Sequence, residues 1–576
     1  KYVPETGDWV REQKIIGNPF KMESEWGTPR ISGAAIIDRM LNGQSIEVKD
    51  KDEDGRSVRN PKETLAAQNK AKAIQEEFET FAFGDTDRAE LLAEIYNDRF
   101  NNVRPRTFDG SHKTFPGMTL QWSNQLHAQQ KDAIWRVLQD RTSLLAHEVG
   151  FGKTAIMVAA GMELRRLGLA SKNVYVLPKH THAQFREQFK EIYPYAKILF
   201  PAQDDFTPAK RGTFLAKATT GDWDAIILSG EQFNRIPVKP ETEVKFLRQE
   251  VDAIRAALES EQDAAQGRGG KTQTQKELAK ALERAEVRIQ EQLAASKETA
   301  EDTIKFEDMG IDQLFVDESD LYKNLRFPTR MGRLKGLPNS DSKRAFDMFL
   351  KVRTIQERGK GNGVVFATGT PVANTVAELY TNMRYLQNDE LEKRDIQHFD
   401  AWAKTFGATT EGLEQSPTGA YRLTQRFAKF QNIPELSNIW QGASDIRVTE
   451  DSPTIVKLRP RLVDEQGEAK RTVIPIEPDQ ELLDFMAELA VRADNLSNVD
   501  PTEDNMLKIS GDARMASLDM RMVKPSAAAN PDGKLVKVSE NVARIYKETT
   551  PDKGVQLVFL DIGTPVSYTH LRAHET

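Results

Sequence analysis

The 576 residues contain no cysteine. That excludes disulfides, thiolate zinc sites, iron–sulfur clusters and cysteine nucleophiles, and it suits a reducing cytosol. No apolar run reaches ~18 residues, so none is long enough for a membrane-spanning helix. Residue 1 is Lys rather than Met, with no signal-like apolar region behind it, so the chain reads as a fragment with a missing start. With charged residues at 29% and a mean hydropathy of −0.58, the composition is that of a globular protein of about two to four domains. The net charge is −7, so nucleic-acid contact would need local basic surface rather than a global field.

Between Ala146 and Thr154 the chain reads Ala-His-Glu-Val-Gly-Phe-Gly-Lys-Thr. Gly150 and Gly152 let backbone N–H groups crowd a phosphate, Lys153 would meet the β and γ phosphates of a nucleoside triphosphate, and the Thr154 hydroxyl would bind Mg2+. Thr142–Ala146 reads as a short apolar strand, and Ala155–Leu167 as a helix with Ile156, Ala159, Ala160 and Leu164 on one face. The strict pattern wants a small residue where His147 stands.

From Leu120 to about Leu386 short β-rich runs alternate with helices. Asn173–Leu177, Ala225–Leu228, Gln313–Val316 and Gly363–Ala367 read as buried strands of a parallel sheet, an α/β arrangement that binds ligands at the strands' carboxyl ends. Upstream, amphipathic helices are expected over Asn60–Phe83 (Leu65, Ile74, Phe78 and Phe81 apolar) and Ala89–Phe100. Asp50–Gly55 resembles the start of a calcium loop, but Pro61 stands where the closing glutamate belongs. A turn between strands Ser45–Lys49 and Ser57–Arg59 is expected instead. Leu247, Val251, Ile254 and Leu258, then Leu278, Leu282, Ala285, Ile289 and Leu293, form the seam of a helical hairpin over Glu241–Asp263 and Gln273–Ala295. Arg471–Ile476 and Gly554–Leu560 read as strands, and Glu481–Leu496 as a helix.

Two more elements carry chemistry. An apolar strand delivers Asp317-Glu318-Ser319-Asp320, in which Asp317 would hold magnesium and Glu318 would orient and deprotonate an attacking water. Another strand leads into Thr368-Gly369-Thr370-Pro371, whose hydroxyls can bond neighbouring carboxylates and relay the state of the γ-phosphate. No Asn-Lys-x-Asp guanine reader is present, and a GTPase or kinase gives Thr-Gly-Thr-Pro no role.

In this order the elements resemble the first motor lobe of superfamily-two helicases and translocases, especially the Swi/Snf-like branch. His147-Glu148-Val149-Gly150-Phe151-Gly152-Lys153-Thr154 matches that branch's Asp-Glu-Met-Gly-Leu-Gly-Lys-Thr. The resemblance implies that Gln130 reads the adenine edge, and that Pro178, Lys179 and Ser229 lie at strand ends touching DNA. Thr368, Gly369 and Thr370, with Asn374, match the third motif, while Asp320 replaces a usual histidine. Trp26-Gly27-Thr28, Phe108–His112, Phe115-Pro116-Gly117, Tyr322–Leu325 and Asp504–Lys508 are similar to the helicase part of large phage, plasmid and integrative-element proteins. Those often carry an adenine-N6 methyltransferase domain ahead of the motor and are linked to DNA modification or antirestriction. The likeness covers roughly residues 18–565. The methyltransferase's Asn/Asp-Pro-Pro-Tyr/Phe is absent, and Gly17-Asn18-Pro19-Phe20 is not it.

The resemblance implies a DNA-dependent ATPase using ATP and Mg2+ to move along duplex DNA, in the cytoplasm of a bacterial or phage-infected cell. Its expected layout is a helical lead-in over residues 1–117 and a RecA-like lobe over 118–390, with helices on both faces of a parallel sheet and the hairpin at about 240–300. A helical inter-lobe region over 391–470 and a truncated second RecA-like lobe over 471–565 follow. Residues 566–576 resemble a translated sequencing-adapter peptide. Hydrolysis in the superfamily takes arginines from a second lobe, so nucleotide binding with little turnover is expected of these residues alone. The alternative from another class is a non-catalytic DNA-binding scaffold within a methyltransferase fusion.

Overall fold

The computed structural model describes residues 21–51, 57–102, 104–202, 204–264, 273–298, 304–329, 342–415, 421–448, 473–500 and 503–553, with a few isolated positions besides. Gly17–Phe20 and the tail over 566–576 lie outside these. The chain divides into two compact units, residues 1–410 with 425–458, and residues 411–424 with 459–576.

The first unit begins with three capped helices. α1 (Gly33–Leu41) is capped by Ser32, α2 (Pro61–Phe83) by Asn60 with proline at its first position, and α3 (Thr86–Tyr96) by Asp85. Strands Lys49–Lys51 and Ser57–Arg59 pair antiparallel, the first of them beginning at Lys49, where the expected strand ended. The apolar side of α2 is a correction. Of the four apolar residues expected to pack, Ile74 lies against the core, but Leu65, Phe78 and Phe81 are exposed, while Thr64, Ala67 and Ala71 are buried with Ile31, Ile36 and Val48. Small side chains allow the close approach of α1. The Thr64 hydroxyl also accepts from the Val48 N–H at 3.0 Å and donates to its carbonyl at 3.2 Å, which fixes that side inward.

The centre of the unit is a parallel sheet of β1 (Ser143–His147), β2 (Asn173–Leu177), β3 (Ile198–Leu199), β4 (Ala225–Ser229), β5 (Gln313–Asp317), β6 (Val364–Thr368) and β7 (Ser444–Arg447). Its order is β7-β1-β6-β5-β2-β4-β3. Alternate residues face opposite cores, as period two requires. Leu144, Val174, Val176, Leu314, Val316 and Phe366 face one core, with α9 (Lys343–Gly359) against it. Leu145, Tyr175, Phe315 and Val365 face the other, which is covered by α4 (Ala128–Asp140), α5 (Lys153–Arg166) and α6 (His182–Ile192). Ile156, Ala159, Ala160 and Leu164 are fully buried, as read from the sequence.

Between β4 and β5 stand α7 (Pro240–Ala264) and α8 (Gln273–Glu298), the expected hairpin. Val244, Leu247, Val251, Ala285 and Ile289 form its main seam, and Ile254 a smaller one nearer the tip. After β6 come α10 (Ala377–Leu386) and α11 (Ile433–Ala443).

Two expectations about the chain's later part change. The sheet does not end near residue 390: β7 pairs parallel with β1, Ser444 opposite Leu144 and Arg447 opposite His147. In the second unit, the described residues of 473–559 form helices, α12 (Gln480–Asp494), α13 (Met506–Leu518) and α14 (Lys534–Thr549), and no strand. Residues 473–476 are not strand, and Val555 and Phe559 are each 88% exposed rather than buried. An apolar run becomes a strand only where neighbours accept its backbone hydrogen bonds, and no described residue of 473–559 provides a partner. Asp504-Asn505 has a structural use here: Asp504 binds Arg492 through both carboxylate oxygens, and Asn505 caps α13.

Candidate active site

β1, β6 and β5 lie side by side and end at the same sheet edge. The phosphate loop follows β1, Asp317-Glu318 ends β5, and β6 brings Thr368 out between them. Thr368 is opposite Ala146 on one side, and Ala367 is opposite Asp317 on the other. Three motifs spread over more than 200 residues therefore meet at the carboxyl edge of one sheet.

The loop needs its glycines. Gly150 and Gly152 have φ of 94° and 76°, in the left-handed region, and a Cβ on Gly152 would sit 2.3 Å from Gln130 Nε2. Lys153 opens α5, and its ammonium donates to the His147 carbonyl at 2.8 Å. Burial lowers the Lys153 pKa, opposed by the negative charges of Asp317 and Glu318. Gly369 packs against the other side of the loop, where a Cβ would lie 3.5 Å from the Val149 side chain.

Burial raises the Asp317 carboxyl above its ordinary range, against the Glu318 backbone N–H and Lys153. Glu318 is raised by burial and by Asp317 and Asp320, and its φ of 48° is left-handed. Thr368 reaches Asp320 through a long 3.4 Å contact, and its Oγ1 accepts from the Thr370 N–H at 3.1 Å. Asp317 Oδ1 is buried with no hydrogen-bond partner. An orphaned oxygen among three crowded carboxylates fits a divalent cation, whose charge would reverse each of those upward shifts. Among the described residues no group of three or more His, Asp or Glu side chains makes an all-protein metal cage. Magnesium sites of this kind instead use one or two carboxylates, a hydroxyl and substrate phosphates. The residues present fit such a group.

Other sequence-derived sites fall as follows. Gln130 lies against the phosphate loop, donating to the Phe151 carbonyl at 2.9 Å and accepting from the His127 N–H at 2.9 Å. Pro178 and Lys179 follow β2 at the same sheet edge, with Lys179 exposed. Ser229 ends β4 but is 4% exposed, its hydroxyl spent on capping the next helix through Gln232. Ala373 and Asn374 N–H groups both donate to Glu378, which pairs with Lys323 at 3.2 Å.

Sequence reasoning missed Asp445 and Arg447. His147 Nε2 lies 2.6 Å from Asp445 Oδ2, both buried, and the Glu148 N–H donates to the Arg447 carbonyl at 3.1 Å. Ser444-Asp445-Ile446-Arg447 has a single apolar residue, so hydrophobic periodicity carries no signal there.

The chain matches two family models, a domain of unknown function over residues 1–102 and a probable helicase domain over 135–448, which ends just past β7. It is 25% identical over 540 residues to the defense against restriction protein B of Escherichia phage P1, covering 86% of this chain. It spans 23% of that relative's length. Among solved structures it is similar to the Sulfolobus solfataricus SWI2/SNF2 ATPase core in complex with dsDNA (13% identity, 76% of this chain and 66% of that one, TM-score 0.32). The core domain alone matches likewise (13%, 77% and 68%, TM-score 0.30). With the helicase model spanning more than half of the chain, and with it the phosphate loop, Asp317-Glu318 and Thr368, the chain belongs to the probable helicase domain family.

Proposed function

We propose that the chain is the nucleotide-binding lobe of a DNA-dependent ATPase that couples Mg·ATP hydrolysis to movement along duplex DNA. The observation that carries this reading is the position of β6 between the phosphate loop and the Asp317-Glu318 pair, with Thr368 emerging between them. Gly150 and Gly152 open the cradle, Lys153 would leave the His147 carbonyl for a phosphate, and Thr154 with Asp317 would hold magnesium. Magnesium, when bound, would neutralise phosphate charge. Glu318 would orient water and take its proton. Thr368 and Thr370, with Gly369 against the loop, would pass the state of the site toward Asn374 and Glu378. Arginines needed for fast hydrolysis would come from a second lobe. The phage relative's name supports a role against restriction in a mobile-element protein.

The test compares nucleotide and DNA binding by the 576-residue chain. Mg·ATP binds, and Lys153→Ala weakens it about 10- to 100-fold, the worth of a charge-assisted bond. A motor also ties nucleotide state to DNA: duplex affinity should differ about fivefold or more between ATP- and ADP-bound forms. Equal duplex affinity in every nucleotide state would sink the motor reading and favour a scaffold.

A further inference from the structure

We infer that Asp445 is a positioning residue for the nucleotide site, acting through His147 on the phosphate loop. This rests on the nucleotide-binding reading above. β7 is an edge strand, where charged side chains ordinarily face water. Asp445 is instead 8% exposed, and His147 is 1% exposed. The pair meets at 2.6 Å, and Arg447 closes on the other carboxylate oxygen at 3.2 Å. Burial would raise the Asp445 carboxyl, but the His147 and Arg447 contacts outweigh it and hold it ionised. His147 therefore donates from Nε2, leaving Nδ1 buried and without a partner.

The anchoring reaches the chemistry through His147's own backbone. Its carbonyl holds the Lys153 ammonium at 2.8 Å, and the next N–H, that of Glu148, is held by Arg447 at 3.1 Å. Fixing the ring and the following peptide fixes the carbonyl that Lys153 must leave to meet a phosphate. The pair is not required to attach β7. The strand already has its backbone ladder to β1, Ser143 Oγ donates to the Ala443 carbonyl at 3.3 Å, and Arg136 holds the Gln441 and Gly442 carbonyls at 2.6 and 2.9 Å.

The experiment measures affinity of the 576-residue chain for a fluorescent ATP analogue with magnesium, with unlabelled ATP as competitor and thermal melting as the folding control. Asp445→Ala and Asp445→Leu should each weaken binding about tenfold, a usual cost of removing a supporting partner, while still melting cooperatively. Asp445→Asn, whose amide oxygen can accept the same proton, should bind within about twofold of wild type. Wild-type affinity in folded Ala and Leu variants overturns the inference and leaves the nucleotide reading intact. Loss of cooperative melting in both makes the pair a determinant of folding and also overturns it. Absence of any Lys153-dependent binding in the wild type removes the nucleotide reading itself.

Discussion

Gly152 is subject to two constraints at one position. Its φ of 76° is disfavoured for any L side chain, and a Cβ would strike Gln130 Nε2. Gly152→Ala should cost about 1–2 kcal/mol from the backbone alone and should displace Gln130 from the Phe151 carbonyl. The expected outcome is a lower melting temperature together with weakened ATP binding, read in the same titration. A second residue-scale prediction lies away from the site. Lys351 is fully buried, donating to Asp347 at 2.7 Å and to the Phe233 carbonyl at 2.6 Å. Burial raises the Asp347 pKa from 3.8 to about 6 in spite of that lysine. An acid whose folded pKa is raised contributes stability below its unfolded pKa, and that contribution is lost as pH rises through the folded value. The stability of wild type relative to Asp347→Asn should therefore fall between about pH 4 and pH 6. Melting curves across that range check it, and a difference that is flat with pH refutes it.

At the scale of elements, the hairpin and β7 mark the two ends of what a sequence discloses. The α7–α8 seam repeats over many turns, so its period is unmistakable and its core, Val244 to Ile289, is where the pattern puts it. β7 is four residues long and half charged, and its Asp445 is buried against a partner almost 300 positions away, information no local window holds. α2 lies between these cases. Its extent was legible, but large apolar residues suggested the wrong face, because close packing on α1 selected the small ones. The phosphate loop and both acidic and hydroxyl motifs were legible because each pairs a fixed spacing with a strand end. The hairpin's self-contained seam yields a prediction. Replacing residues 253–282 with a short turn removes the tip cluster but keeps the base, where Glu243 binds Arg288 at 2.8 Å and Lys245 binds Glu357 at 2.7 Å. The shortened protein should retain cooperative melting and ATP affinity within about twofold, since distant independent sites add. A large loss of either would show that the tip supports the sheet.

Over the whole molecule, charge constrains how DNA could be engaged. A chain of net charge −7 repels a polyanion at long range, so any duplex it bound would have to be held by a few local cations. Lys179 is the best placed of those read from the sequence: it is exposed, directly follows β2, and shares the sheet edge with the phosphate loop. Ser229, buried and engaged in capping the helix that follows it, adds no charge and little surface. If Lys179 meets a phosphate, its removal should weaken binding similarly for every duplex sequence, because backbone contacts position without reading bases. Each neutralised phosphate also releases counterions, so the slope of log affinity against log salt should become shallower by about 1 in Lys179→Ala. The measurement is a salt titration of duplex binding for wild type and variant at fixed nucleotide state. An unchanged slope with reduced affinity would mean that Lys179 shapes the sheet edge without touching DNA, and the cations that hold the duplex would then have to lie elsewhere on the chain.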